Sequence, residues 1–241
     1  MHRANMPSPH PVAVAVTAIF LAFPAFAETP DPARVMAIVI EGTNRFRQEQ
    51  RLAAVEADSK LAATARDFAD FMASTDKFSH AADGSEPSAR ARRHGYEYCL
   101  VSENIGYQFR SDGFKTAADL ADGFVEGWKR SPGHRKNLLD RDATDIGVAV
   151  ARSPKTGRYY GVQVFGRPAS RMIEFAVANE SGERVEYRIG SAEYWLPGRT
   201  QRTHRECVAE PVGFNGKVLK PENGDRFAII GGRGSLRMTR D

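Results

Sequence analysis

Hydrophobic spacing changes character along this chain, from a helical period to strict alternation, and that change limits the folds open to it. Over residues 31–130 apolar positions recur every three or four residues. Ala117, Leu120, Ala121, Phe124 and Trp128 share one helical face, which Ser131-Pro132-Gly133 breaks. Leu61, Ala65, Phe68 and Met72 mark another helix, with Asp58 placed to cap it. Val35, Met36, Val39 and Phe46 mark a third, opened by Asp31 with Pro32 at its first position. A short helix is predicted over Pro87–Arg93, stopped at Gly95. Alternation then takes over. Ile146, Val148 and Val150 predict a strand, Ser153–Gly157 a turn, and Tyr160, Val162 and Val164 a second strand. A hairpin needs a cover, and the amphipathic helices supply one.

Beyond residue 171 only alternation remains. Ile173, Phe175 and Val177 form one set and Val185, Tyr187 and Ile189 another, separated by Glu180-Ser181-Gly182. Phe227–Ile230, Gly231-Gly232 and Leu236/Met238 read as a closing hairpin. The expected organisation is therefore a helical and strand-bearing domain over 31–168 and a small all-β module over 171–241. A β module of that size is near the lower limit for independent stability and is expected to lean on its neighbour.

Residues 1–27 read as a secretory signal. Arg3 supplies a weakly basic start, Val12 to Phe23 an apolar run, and Ala25-Phe26-Ala27 a small-x-small cleavage pattern. The alternatives are a membrane anchor or a buried helix. No other stretch is long and apolar enough to cross a bilayer. Cleavage after Ala27 would start the mature chain at Glu28 and send it to a secreted or periplasmic location, where disulfides persist. Cys99 and Cys207 lie one in each predicted unit, and a bond between them would staple the β module to the first domain. Two separate buried thiols are the alternative.

Composition removes several function classes. The chain is 41% hydrophobic and 27% charged, which excludes a disordered chain and an integral membrane protein. A net charge of +4, spread without a basic stripe, argues against nucleic-acid binding. Two cysteines are too few for a cysteine-based zinc module. There is no G-x-S-x-G elbow and no H-E-x-x-H pair. The Gly231-Gly232-Arg233-Gly234 run lacks phosphate-loop spacing and reads as a turn. What remains is a scattered polar set: Phe78-Ser79-His80, Ser102-Glu103-Asn104-Ile105, and Ser131-Pro132-Gly133-His134-Arg135. Spacing alone leaves each histidine a lone one, 54 residues apart.

These segments, in this order, resemble the CAP superfamily of cysteine-rich secretory proteins, antigen 5 and pathogenesis-related proteins, and above all its bacterial exported branch. Asn44 and Arg47, Leu61 to Met72, Asp83-Gly84-Ser85, Gly95-Tyr96, Gly127-Trp128, Asn137-Leu138-Leu139, Ile146-Gly147-Val148 and Gln163-Val164-Phe165-Gly166 extend the likeness over about 35–168. The resemblance implies an α+β fold, a three-layer α-β-α sandwich with an antiparallel sheet in the middle. It implies a cleft lined by His80, His134 and Glu103, in which the two histidines hold a divalent metal such as zinc. The family's second glutamate falls at Ser131, and the histidine that bacterial relatives often carry in the second helix falls at Phe68. Glu126 is read as a solvated helix residue, and Asn104 and Arg135 as scaffold.

Two imidazoles supply half of a tetrahedral zinc shell, so waters must complete it. Glu103 could orient an imidazole or accept a proton from a bound water. The leading expectation is an exported protein whose His/Glu cleft binds a small ligand, lipid or peptide, with a divalent metal. The alternatives are a metal-dependent hydrolase or peptidase, and a structural or adhesive envelope protein.

Overall fold

The computed structural model describes residues 29–232 and 236–241, together with Met1. The signal and cleavage positions, and Arg233 and Gly234 of the glycine-rich run, lie outside the described residues.

Helix α1 spans Pro32–Glu49, and the Asp31 carboxylate accepts from the backbone N–H groups of Ala33 and Arg34. These are the orphan donors that every helix start leaves open. Strand β1 is Glu56–Ala57, and α2 is Ser59–Thr75, capped by Asp58 through Lys60 and Leu61. The short helix α3 covers Pro87–Arg93. Strand β2 runs over Tyr98–Gln108, and α4 over Ala117–Arg130. A fifth helix, α5, occupies Pro132–Leu138. Strands β3, Asp145–Arg152, and β4, Tyr159–Pro168, form the expected hairpin.

The hairpin is the middle of a larger sheet, ordered β1-β3-β4-β2. β3 and β2 both pair antiparallel with β4, and the two-residue β1 lies parallel to β3. One face carries Ile146, Val148, Val150 and Phe165 against Val35, Val39 and Phe46 of α1 and Leu120, Phe124 and Trp128 of α4. The other carries Ile105, Ala149, Tyr160, Val162 and Val164 against Leu61, Ala65, Phe68 and Met72 of α2. Helices therefore cover both faces, which makes three layers. Two glycines permit the close approach. A Cβ on Gly147 would sit 2.1 Å from the backbone carbon of Leu61, and one on Gly161 would sit 2.6 Å from the ring of Phe124.

Arg47 of α1 is fully buried and ties this layer together. Its guanidinium donates to the carbonyls of Ala53, Leu138 and Asp140 at 2.8–2.9 Å. The Leu138 carbonyl is one that the end of α5 would otherwise leave unpaired. Burial holds the Arg47 guanidinium below its ordinary value.

Residues 173–240 form two further sheets. One is ordered β12-β11-β5-β8, from Ile173–Asn179 (β5), Thr200–Glu206 (β8), Arg226–Ile230 (β11) and Arg237–Arg240 (β12). The other is ordered β10-β9-β6-β7, from Val185–Ile189 (β6), Ala192–Leu196 (β7), Val212–Phe214 (β9) and Lys217–Leu219 (β10). Phe175, Val177, Tyr187, Val212, Phe227 and Ile229 fill the space they share. β11 and β12 pair antiparallel, as the closing hairpin required. The four strands β7 to β10 have no counterpart in the expectations above. Cys99, on β2, is bonded to Cys207, just past β8. The Arg167 guanidinium donates to the Cys207 carbonyl at 2.8 Å alongside it. The α+β architecture is thus a three-layer sandwich followed by a small all-β module.

Candidate functional site

β2 is an edge strand, and its outer flank is where the three scattered segments meet. His80 lies in the turns that follow α2, Glu103 in the middle of β2, and His134 in the first turns of α5. The His80 Nδ1 is 2.8 Å from Oε1 of Glu103. The Glu103 side chain is 1% exposed and the His80 side chain 48%. A carboxylate only accepts, so Nδ1 carries the proton and the Nε2 lone pair of the neutral ring is left available. The rings of His80 and His134 have their centres 6.4 Å apart. Burial first, and then repulsion from the His80 ring when that ring is protonated, holds the His134 imidazole below its ordinary value. It therefore stays neutral at neutral pH.

The second oxygen of Glu103 is also taken. Arg90, 2% exposed on α3, donates from Nη2 to Oε2 at 2.8 Å. The same nitrogen donates to the His80 carbonyl at 2.9 Å. Nη1 donates to the Asp83 carboxylate and to the Ser85 carbonyl. The guanidinium lies 3.6 Å from the ring centre of Phe68 on α2. One buried cation thus fixes Glu103 and the loop bearing His80 from the same side. The role of Arg90 was not foreseen, since nothing in the spacing of a short, arginine-rich helix marks one arginine as buried.

α5 is held to β2 by asparagines. Asn104 donates to the His134 carbonyl at 3.2 Å and to Gln163 at 3.0 Å. Asn137 donates to the Glu103 carbonyl and to the Asn104 side chain. Gln163 in turn donates to Thr43 of α1. Asn104 is scaffold, as read from the sequence. Arg135 stacks over Phe46 at 4.8 Å, and Glu126 pairs with Lys129 on the half-exposed side of α4.

The donor set can be tested against the metal that the fold family implies. Among the described residues no group of three or more His, Cys, Asp or Glu is arranged to hold an ion. With both Glu103 oxygens engaged, two ring nitrogens remain. Imidazoles sharing a tetrahedral zinc at about 2.1 Å place their ring centres roughly 5 Å apart. As they stand, the His80 and His134 rings are about an ångström farther apart than that. The set fits an open, water-completed site and does not fit a closed structural one.

Helices on both faces of an antiparallel sheet, with two histidines and a buried glutamate at its open edge, define a class of α-β-α sandwich. The chain belongs to the cysteine-rich secretory protein family, the CAP family, whose sequence model matches residues 40–165. It is 33% identical over 116 residues to the uncharacterized protein YkwD of Bacillus subtilis (strain 168), a match covering 48% of this chain and 42% of that one. It is 34% identical over 123 residues to the uncharacterized membrane protein YlbC of the same organism, covering 50% of this chain and 33% of that one. The match thus spans less than half of either relative. Among solved structures, an outer surface protein from Borrelia burgdorferi aligns with a TM-score of 0.50 at 20% identity. That alignment covers 59% of this chain and 99% of the other, and it bears on the fold alone.

Proposed function

We propose that this is an exported binding protein whose His80–Glu103–His134 site takes a ligand through the two imidazoles, with a divalent metal between them. The observation that carries the reading is the pairing of a half-exposed imidazole with a fully buried carboxylate–guanidinium pair. Burying Glu103 and Arg90 costs free energy that a surface loop does not require. What the burial supplies is a fixed ring with one nitrogen turned away from the carboxylate. Such outer partners are what orient a metal-ligating histidine and set its tautomer.

Binding is favoured over turnover. Glu103 is 1% exposed, and its two oxygens already accept from His80 and Arg90, so it is poorly placed to take a proton from a bound ligand; Ser131 stands where acid/base pairing would need a second glutamate. Export is supported by the pattern over residues 1–27 and by the Cys99–Cys207 bond, which is at home outside the reducing cytoplasm. No helix among the described residues is long and apolar enough to cross a membrane.

The test is calorimetric titration of zinc into the metal-free protein and three variants. His80→Ala and His134→Ala should each abolish binding, since one imidazole is too few. Glu103→Ala should weaken it by about 10–100-fold. Affinity should fall as pH is lowered, because a protonated ring cannot ligate. Zinc binding that survives both histidine substitutions would remove the metal from this reading.

A further inference from the structure

The outer face of the sheet β10-β9-β6-β7 carries a trough that has nothing to do with the histidine site. It has a volume of about 270 Å³. The pairing registers fix which side chains share that face. Glu186 lies opposite Trp195, Arg188 opposite Glu193, Gly213 opposite Arg188, and Val218 opposite Gly213. The inner face is the one that carries Tyr187, Val212 and Phe214 into the core. Arg184, two residues before Glu186, stacks over the Trp195 ring at 4.4 Å.

Three observations set this face apart from an ordinary solvated one. Trp195 is 50% exposed and Val218 58%, so an indole beside the trough, covered on one side by Arg184, and an aliphatic wall within it stand on one surface. Glu186, Arg188 and Glu193 make no ion pair or side-chain hydrogen bond with any described residue, although they stand side by side. The floor is Gly213, and nothing local requires a glycine there. Its φ is not positive, and a Cβ would meet only the Lys217 carbonyl and a Val218 methyl, both at 3.9 Å. A strand glycine without a steric cause leaves room for another molecule to approach the backbone closely.

We infer that this trough binds a neutral saccharide chain. Glu186 and Glu193 balance Arg188 on the trough and Arg184 beside it, so an ion of either sign meets as much repulsion as attraction; Lys217 also borders the trough. Lys217 pairs in register with Phe214, on the other side of the sheet, and its ammonium donates to the Met238 carbonyl. Hydroxyl groups donate and accept at once, which suits carboxylate acceptors set beside guanidinium donors. The C–H face of a sugar ring suits an exposed indole. An extended peptide would take a free strand edge. The edges of this sheet are β7 and β10, while the floor strand β9 is paired on both sides, so a ligand lying across the floor has no backbone ladder to join. The four strands span roughly 14 Å across the face, room for a chain rather than a single ring.

The experiment titrates the full chain with cellohexaose and chitohexaose, followed by calorimetry and tryptophan emission. The chain has two tryptophans, and Trp128 is 2% exposed, so a change in emission on binding reports Trp195. Binding of at least one hexasaccharide, with a blue shift, is expected. Trp195→Ala and Gly213→Val should each weaken it by about tenfold or more. Gly213→Val fills the floor beside Arg188, its cross-strand neighbour, with Glu186 and Trp195 unaltered, and should leave the unfolding midpoint unchanged. If it does not fold, Trp195→Ala, an exposed position, decides alone. The inference is overturned if neither sugar binds with a Kd of about 1 mM or tighter. It is also overturned if both variants bind as the parent does, or if hexaglutamate or hexalysine binds in place of the sugars.

Discussion

Replacing Arg90 by methionine tests how the site is held. Methionine keeps an unbranched stem against Phe68 and removes the charge together with its hydrogen bonds to Glu103, Asp83, His80 and Ser85. Asp83 retains Arg93 at 3.4 Å and some exposure to water. Glu103 retains only His80 and is 1% exposed, so its charge is stranded. Breaking a buried pair from one side costs about 3–5 kcal/mol. In a chain of this size each kcal/mol moves the unfolding midpoint by about 2–4 °C, giving a fall of roughly 6–20 °C. The double variant Arg90→Met/Glu103→Gln removes the stranded charge and should recover part of that loss. A urea-denaturation cycle over the four proteins should return a coupling of about 2–3 kcal/mol. A single-variant cost below about 1 kcal/mol, or strict additivity in the cycle, would refute the claim that Arg90 and Glu103 act as one unit.

Three further outcomes follow from the packing. Removing the Cys99–Cys207 bond, which closes a separation of 108 residues, should destabilise the protein by about 4–5 kcal/mol on the chain-entropy argument, measured by denaturation of Cys99→Ser/Cys207→Ser against the parent. Gly147→Ala should cost about 3 kcal/mol or more, because the added carbon falls on the backbone of Leu61; a near-neutral midpoint would mean that α2 and β3 are not so closely packed. His204 accepts or shares a proton with the Tyr187 hydroxyl at 2.7 Å, and burial followed by the charge of Arg202 holds its imidazole below the ordinary value. His134 is shifted the same way, so the folded state binds fewer protons than the unfolded one; stability should be full above the ordinary imidazole value and fall as pH drops through it, and His204→Gln should flatten that slope.

The elements legible in the sequence were those whose signals are local. Asp31 with Pro32, and Asp58 ahead of Leu61, are caps that can be read without the fold, and both helices start there. β2 was not read as a strand because its central residues Ser102, Glu103 and Asn104 are polar. Glu103 and Asn104 are polar because they build the site, where the tertiary structure overrides pattern. α5 escaped because Ser131-Pro132-Gly133 reads as a break, while a proline at the first helical position equally restarts a helix. β9 and β10 did carry a signal: Asn215-Gly216 between Val212–Phe214 and Lys217–Leu219 is a two-residue hairpin turn, with both residues at positive φ. His80, Glu103 and His134 came together only through the ordered resemblance, since they sit on three elements and no spacing rule joins them. Arg90 had no sequence signal at all. Its burial follows from the two carboxylates that the fold brings to it.

The central claim is that His80 and His134 share one ligand while Glu103 fixes the ring of His80. Nitrogen NMR of the ¹⁵N-histidine-labelled protein reads this directly. Before zinc is added, His80 should be the tautomer protonated at Nδ1. On titration its Nε2 and one ring nitrogen of His134 should shift together, with a single stoichiometry. A His80 protonated at Nε2, or zinc shifts at His80 that leave His134 unmoved, would contradict the account.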